Sequence, residues 1–555
     1  MKKFNIPTPK VNRDFFTARG KEPLSAILIP LAVTAVIFAA AFYLFLPSLN
    51  LHDGEFWFFV ISAIILYMVI KGLHMSIHHI RGSVKISFLV LCCLLAAWAL
   101  LGLWSTKLFH AKAYSQILTV TDDTVESIPS VEATDAIALM DTASAERLGD
   151  RRIGSLTDVV SQFNVGEYIQ INYRETPSKV AALSYDGFFK WSANRGRGVP
   201  GYVIVNPVDM SAEYVALENG MRYVPSAWFN DNLYRRIRFK YPFDMIGNLH
   251  FEIDEDGKPW YIASVYQKKI GWFGGLQVKG AIVADPVSGE IAKYNTGEIP
   301  VFADVVFDGD LICTQYNNYA QLKHGFWNSI FAQTDCRRVT TLVETDDDES
   351  RTYSDYGYIA MDGDIWIYTG VTSVNGDSSN LGFILSNERT EETRYIPCAG
   401  ADEFSGMRSA EGEVQEKGYT ASFPSLINVD GVPTYIMVLK DANGLVKMFA
   451  AVNVEQYNQV VTASSQEECL NRYRMMITGK TPSEEEVDPS ALKEKTIVVT
   501  KMEKIDIEGN TWLYIVDEKK EIYKAKYADV LGMLMVSEGD SITILTDGST
   551  FRMKE

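Results

Sequence analysis

Histidine and cysteine are the scarce residues of this chain, seven and six among 555. Cys92 and Cys93 fall inside an apolar run, and Cys313, Cys336, Cys398 and Cys469 are scattered without a CxxC pair. That spacing argues against a cysteine zinc site and a dense disulfide framework, and leaves either four buried thiols or one buried pair. The histidines are His52, His74, His78, His79, His110, His250 and His324. A Ser-His-Asp or Cys-His hydrolase in the long C-terminal part would have to use His250 or His324. Both read as structural: Leu249-His250-Phe251 opens a strand pattern, and His324 lies in a helical one beside Phe326 and Trp327. GxSxG, HExxH and Walker sequences are missing, and no SxxK-type set is seen. His74, His78 and His79 have no carboxylate or Cys nearby to complete a metal shell, so they read as a polar turn. The acidic run at 344–349, ETDDDE, lacks the DxDxDG order of an ion loop and reads as a solvated hairpin tip. No cofactor, metal or catalytic residue is therefore nominated.

Positive charge is in short supply after the first hundred residues. Residues 1–105 hold nine Lys/Arg against four Asp/Glu, whereas the remaining 450 hold 43 against 66. A part that acidic repels nucleic acid and anionic lipid, and no nucleic-acid partner is expected. Apolar residues at 47% and charged ones at 22% are ordinary globular values, and 555 residues exceed a single core.

Long uncharged runs are what the N-terminal part does have. Residues 24–46 and 86–106 carry no charge, and at about 1.5 Å per residue each can cross a hydrocarbon core of about 30 Å. Between them, 56–70 is 15 residues long, and it spans if Lys71 snorkels and the helix continues through 72–75. The alternative is an interfacial or re-entrant segment. The first run is too long for a cleaved signal peptide. Lys2, Lys3, Lys10, Arg13, Arg19 and Lys21 precede it, the loop 47–55 has no Lys or Arg, and Lys71, Arg81 and Lys85 mark the next loop. The positive-inside rule then puts a cytoplasmic tail at 1–23, a three-helix transmembrane anchor at 24–106, and everything beyond about 107 outside. The expected location is a cell membrane, multi-pass, with the lipid bilayer as partner through 24–106 and self-association through those helices open.

Beyond the anchor, Asp-Gly pairs precede aromatic β-rich stretches: Asp186-Gly187, Asp256-Gly257, Asp362-Gly363 and Asp430-Gly431, with Glu508-Gly509 looser. Such pairs supply the positive φ angles of tight hairpins. Their spacing is too irregular for a propeller or solenoid. Helical patterns stand in front of them at 226–240, with Ser226 as cap, at 319–331, at 402–417 ending on Gly418, and less clearly at 133–148. A further helix is expected at 466–476. The fold class is thus a membrane-anchored α+β chain of tandem helix-plus-antiparallel-sheet modules at 107–215, 216–305, 306–399 and 400–479. A Lys/Pro/Ser/Glu linker follows at 480–494, then a strand-dense small OB/SH3-like β-barrel at 495–555.

The stretch 278–294, VKGAIVADPVSGEIAKY, resembles the closing strands of PepSY-type envelope modules, in which a strand, Asp, a short turn, Gly-Glu and another strand follow in order. The matching positions are Asp285, Gly289 and Glu290, and 445–454 has the strand without the turn. The resemblance implies a binding or modulating module of a bacterial envelope.

Two basic-aromatic places stand out. Lys190, Trp191, Arg195 and Arg197 are expected on a Gly-containing loop, where Arg and Trp together suit a carboxylate or phosphate beside a sugar or peptide plane. Arg235, Arg236, Arg238 and Lys240 crowd a turn and a half of helix. The expected function is a membrane-tethered extracytoplasmic binding, scaffold or regulatory protein whose partner is an envelope protein or an anionic envelope polymer. The alternative is a carboxylate-based, glycan-processing envelope enzyme, which needs no histidine. A carboxylate-lined cleft with strongly raised pKa values would favour the enzyme.

Overall fold

A computed structural model describes residues 23–80, 83–130, 137, 139–140, 142–208, 210–340, 343–346, 349–352, 356–375, 379–479, 493–507, 510–546 and 551–553. The N-terminal tail, most of the expected linker, the Glu508-Gly509 turn and Asp347-Asp348 in the acidic run lie outside them. The chain divides into two compact units, residues 1–470 and 471–555.

Three apolar helices open the first unit: α1 (Ser25–Phe45), α2 (Gly54–Ile77) and α3 (Lys85–Trp104), all long and apolar enough to cross a membrane. Asp53 caps α2 by accepting from the Glu55 amide at 3.1 Å. The helix runs through Lys71, whose ammonium donates to the Ser83 carbonyl at 2.8 Å. The middle segment thereby reaches 24 residues, well past the 15 of its uncharged stretch.

After α4 (Lys107–Tyr114) the first unit builds four larger sheets and a two-stranded hairpin of 343–346 and 349–352, antiparallel except where strand 120–122 pairs parallel to 393–401. Strands 163–165, 169–173, 176–185, 199–206 and 211–221 form the first, with α5 (Thr142–Gly154), α6 (Thr157–Val160) and α7 (Phe188–Asn194). The second joins 245–246, 250–253, 259–270, 274–284 and 291–295, and α8 (Leu233–Lys240) precedes it. The third follows α9 (Gly309–Leu322), and its main strands are 364–373, 379–387 and 393–401. The fourth follows α10 (Glu403–Glu413) and centres on 432–440 and 446–453. Helix α11 (Gln466–Thr478) crosses the boundary between the units.

Period-two alternation lets consecutive sheets share cores. In the third sheet Ile367, Val371 and Ile384 face a core holding Ile312 and Tyr316 of α9 and Ile262 of the second sheet. Their neighbours Trp366, Tyr368, Phe383 and Leu385 face the other way, onto Phe404 and Met407 of α10 and Tyr435 and Met437 of the fourth sheet. A third core joins the first and second sheets around Val180, Val203, Phe251 and Ile282.

Several expectations shift. The 226–240 helix begins only at Leu233, because the Ser226 hydroxyl accepts the Tyr185 amide at 3.0 Å and Asn232 is the cap, accepting from the Arg235 amide at 2.8 Å. The 319–331 pattern divides between the end of α9 and a π turn at Asn328–Ala332. Asp186-Gly187 leads into α7, so the expected loop at 188–194 is a short helix. Strand 120–122 lies in the third sheet, outside the module its sequence position suggests.

The second unit has a five-stranded antiparallel sheet. Its long strand Lys493–Ile507 pairs through its first half with Ser541–Thr546 and through its second with Asn510–Asp517. Ile497, Leu513, Ile515, Tyr523 and Phe551 fill its core. Among the described residues no ladder joins strands 522–526 and 551–553, so the sheet is an open path.

The hairpin tip at Gly271–Gly274 docks onto the apolar helices. The Ser105 hydroxyl at the end of α3 accepts the amides of Trp272 and Phe273 at 2.8 and 3.0 Å. The Trp272 indole donates to the Leu51 carbonyl at 2.7 Å, and His52 Nδ1 lies 2.9 Å from the Trp272 carbonyl.

Candidate functional site

Helix α8 is short and crowded with cations, and its surroundings sort them. Leu233 and Ile237 are fully buried and fix the helix on the core. Arg238 is 1% exposed, donating to the Asp244 carbonyl at 2.6 Å and to the Tyr234 hydroxyl at 3.1 Å. The Asp244 carboxylate meets Lys279 at 2.8 Å and Lys293 at 2.5 Å. Burial alone would raise its pKa, but the two ammonium groups outweigh that and hold it below the usual carboxylate range. Arg238 is therefore structural.

Arg235, Arg236 and Lys240 instead line a cavity of about 480 Å3 with Asn230, Phe239, Gly289, Glu290 and Ile291. Arg235 stacks 4.2 Å over the Tyr43 ring of α1, and donates to the carbonyls of Tyr43 at 3.2 Å and Phe229 at 2.5 Å. Arg236 lies 4.2 Å over the Tyr223 ring and donates to the Gly289 carbonyl at 3.3 Å, while its buried Nε has no partner. The Lys240 ammonium donates to the Ile291 carbonyl at 2.5 Å. Carbonyls and ring faces orient these cations without cancelling their charge, and Arg235 and Arg236 form no ion pair among the described residues. The wall at Gly289-Glu290 belongs to the turn singled out by sequence. There Asp285 Oδ1 accepts the amides of Val287 and Ser288 at 2.8 and 3.0 Å, and Gly289 takes a φ of 77°. An anionic group fits this cavity by charge, with Glu290 as the one carboxylate on its wall.

The other predicted cluster lies on and just past α7. Trp191 is 3% exposed, packed in the core against Phe188 and Phe229. Its ring offers no open face for stacking on a ligand. Arg195 covers it at 5.1 Å and shares Asp231 with Arg222. Lys190 donates to the Ser161 carbonyl at 2.6 Å, and Arg197 is exposed. Phe229 links the two clusters, touching Trp191 with its ring and Arg235 with its carbonyl. Around them Phe189, Trp228, Phe229, Phe239 and Phe243 are all at least 45% exposed.

Sequence reasoning missed a buried carboxylate trio where the second and third sheets meet. Glu252, Asp304 and Glu388 are 0%, 3% and 1% exposed. Glu252 accepts the amides of Asp304 and Val305, and His250 Nε2 is 2.9 Å from its Oε1. Burial, then the Glu252 charge, pushes Asp304 up to about 9, and burial raises Glu388 well above its ordinary value. The trio joins residues 52 and 84 positions apart along the chain, which no local pattern signals. It lines neither the α8 cavity nor the one at the apolar helices. Among the described residues no group of three or more His, Cys, Asp or Glu is arranged to hold a metal. Cys313, Cys336, Cys398 and Cys469 are buried and form no disulfide among the described residues.

Fold and site together define a class: three apolar helices, then an α+β unit of mostly antiparallel sheets carrying a basic-aromatic shelf against α1. No family of known proteins and no curated relative matches the chain. Among solved structures, it is similar to a GH32 β-fructofuranosidase of Bombyx mori at 9% identity and a TM-score of 0.16, over 73% of this chain and 68% of that one. It is also similar to an exo-β-1,3-galactanase of Phanerochaete chrysosporium at 8% identity and a TM-score of 0.16, over 63% and 75%. Scores this low carry no argument about fold or activity.

Proposed function

We propose that this is a membrane-tethered binding protein of a bacterial envelope, anchored by α1–α3 with its sheet-rich part outside the cell. Its α8 shelf receives an anionic group of an envelope partner, and no turnover is involved. The observation that carries this reading is the set of cations at the α8 cavity, two of them without an ion pair among the described residues and one stacked on α1 itself. On this reading the 278–294 turn serves as a PepSY-like wall of the site, and the C-terminal unit curls as a small barrel. The exposed aromatic residues around the shelf suit a headgroup-level surface. The enzymatic alternative requires carboxylates that water can reach, whereas the raised pair Asp304 and Glu388 is shut inside the fold.

The test uses full-length protein in detergent micelles with polyglycerol phosphate as probe. Replacing both Arg235 and Arg236 by Ala should weaken binding by about ten-fold or more, since each charge-assisted contact contributes about 1.5–3 kcal/mol. Replacing Arg195 and Arg197 by Ala should change it far less. Unchanged binding in the Arg235/Arg236 variant rejects the site.

A further inference from the structure

A second cavity, of about 470 Å3, lies where the apolar helices meet the sheets. One wall is a face of the last turns of α3: Trp98, Ala99, Gly102 and Leu103. Trp98 and Leu103 are 41% and 53% exposed, so this wall is continuous with the side of α3 that would meet lipid tails. The opposite wall is polar and comes from two chain segments, with His52 and Asp53 before α2 and Lys268 on strand 259–270. Phe273 and Met245 complete the lining.

The charges in this cavity are unequally committed. Asp53 is occupied, accepting from the Ser48 hydroxyl at 2.5 Å and from the Glu55 amide at 3.1 Å. His52 is held by the Trp272 carbonyl at 2.9 Å. The Lys268 ammonium has no hydrogen-bond partner among the described residues. Burial lowers its pKa, against the opposing pull of Asp53. Lys268 feels the charge of Asp53, which is already occupied by Ser48 and Glu55, but has no hydrogen-bond acceptor or ion pair of its own among the described residues, and an anionic headgroup supplies both.

We infer that this cavity is a lipid site, which takes one chain-bearing molecule with an anionic headgroup. The headgroup meets Lys268, and the chain lies along Trp98, Ala99, Gly102 and Leu103 toward the bilayer. The inference rests on α1–α3 being membrane helices and is independent of the α8 shelf. The bound molecule would brace the joint between anchor and sheets, because its contacts come from both.

Full-length protein is reconstituted in nanodiscs of mixed phosphatidylglycerol and phosphatidylcholine, and the lipid retained on extraction is counted by native mass spectrometry. The wild type should retain phosphatidylglycerol over phosphatidylcholine by about ten-fold, and Lys268→Gln should abolish that preference while Lys268→Arg keeps it. A Cβ at Gly102 meets nothing within 4 Å, so Gly102→Leu grows into open space and should reduce retention of either lipid. Free glycerol 3-phosphate should not compete, and equal competition would make this a simple anion site and overturn the inference. Equal retention of both lipids, or unchanged retention in Lys268→Gln and Gly102→Leu, overturns it as well. If the protein fails to fractionate with membranes, the anchor reading fails first and the lipid site with it. Membrane-bound protein without lipid selectivity overturns the lipid site alone.

Discussion

Glu403, the first residue of α10, is fully buried, and its carboxylate accepts the Gly370 amide and the Thr340 hydroxyl. Burial raises its pKa to about 7, only partly offset by those donors. A carboxyl raised in the fold contributes most while protonated. Its contribution is full below the ordinary value near 4.5 and is lost as pH climbs through about 7. The loss amounts to about 3 kcal/mol. Denaturant melts of Glu403→Gln should therefore lack that part of the decline between pH 4.5 and 8. A mutant whose stability falls as steeply as the wild type would show that Glu403 titrates alike in the folded and unfolded chain. At this scale the sequence was legible in kind only. It marked Arg235, Arg236, Arg238 and Lys240 as a cluster, but the Tyr241–Asp244 return that buries Arg238 follows the helix and leaves no trace in its periodicity. It paired Trp191 with Arg195, which do touch, but the indole faces inward because Phe188 and Phe229 close over it.

Elements were legible where their cause is local. Asp362-Gly363 and Asp430-Gly431 adopt φ of 55° and 81°, and of 51° and 86°, the paired positive angles of a type I′ hairpin. Asp402 caps α10 through the Ser405 amide at 2.7 Å, and Gly418 closes the following turn with a φ of 61°. Elements failed where a distant partner decided. Ser226 was claimed by Tyr185, and strand 120–122 found its partner some 270 residues later. A paired experiment separates backbone cost from packing, because neither Gly431 nor Gly412 has a neighbour within 4 Å of an added Cβ. Gly431→Ala should destabilise by about 1–2 kcal/mol, since its φ of 86° disfavours any Cβ. Gly412→Ala, in the last turn of α10, should stabilise by about 0.5–1 kcal/mol. Chemical denaturation of the two variants reads both signs, and equal signs would contradict the turn geometry.

For the whole molecule everything turns on α2. Its uncharged stretch of 15 residues falls short of a bilayer, whereas the helix of 24 residues extends about 36 Å against a hydrocarbon core of about 30 Å. The extra length comes from residues 54–55 and 71–77, with the Lys71 ammonium held by the Ser83 carbonyl beyond the helix end. If α2 crosses as proposed, the anchor passes the membrane three times, and the basic residues of the tail and of the loop after α2 share one side. The acidic remainder, 66 Asp/Glu against 43 Lys/Arg, is then delivered to the other. A membrane-impermeant thiol reagent applied to intact cells should label a cysteine introduced at exposed Asn443 and spare one introduced at exposed Ser76, near the end of α2. The reverse pattern means either an even number of crossings or a three-pass anchor of the opposite orientation. It would place the α8 shelf among cytoplasmic polyanions, where the same two arginines would meet an entirely different set of partners.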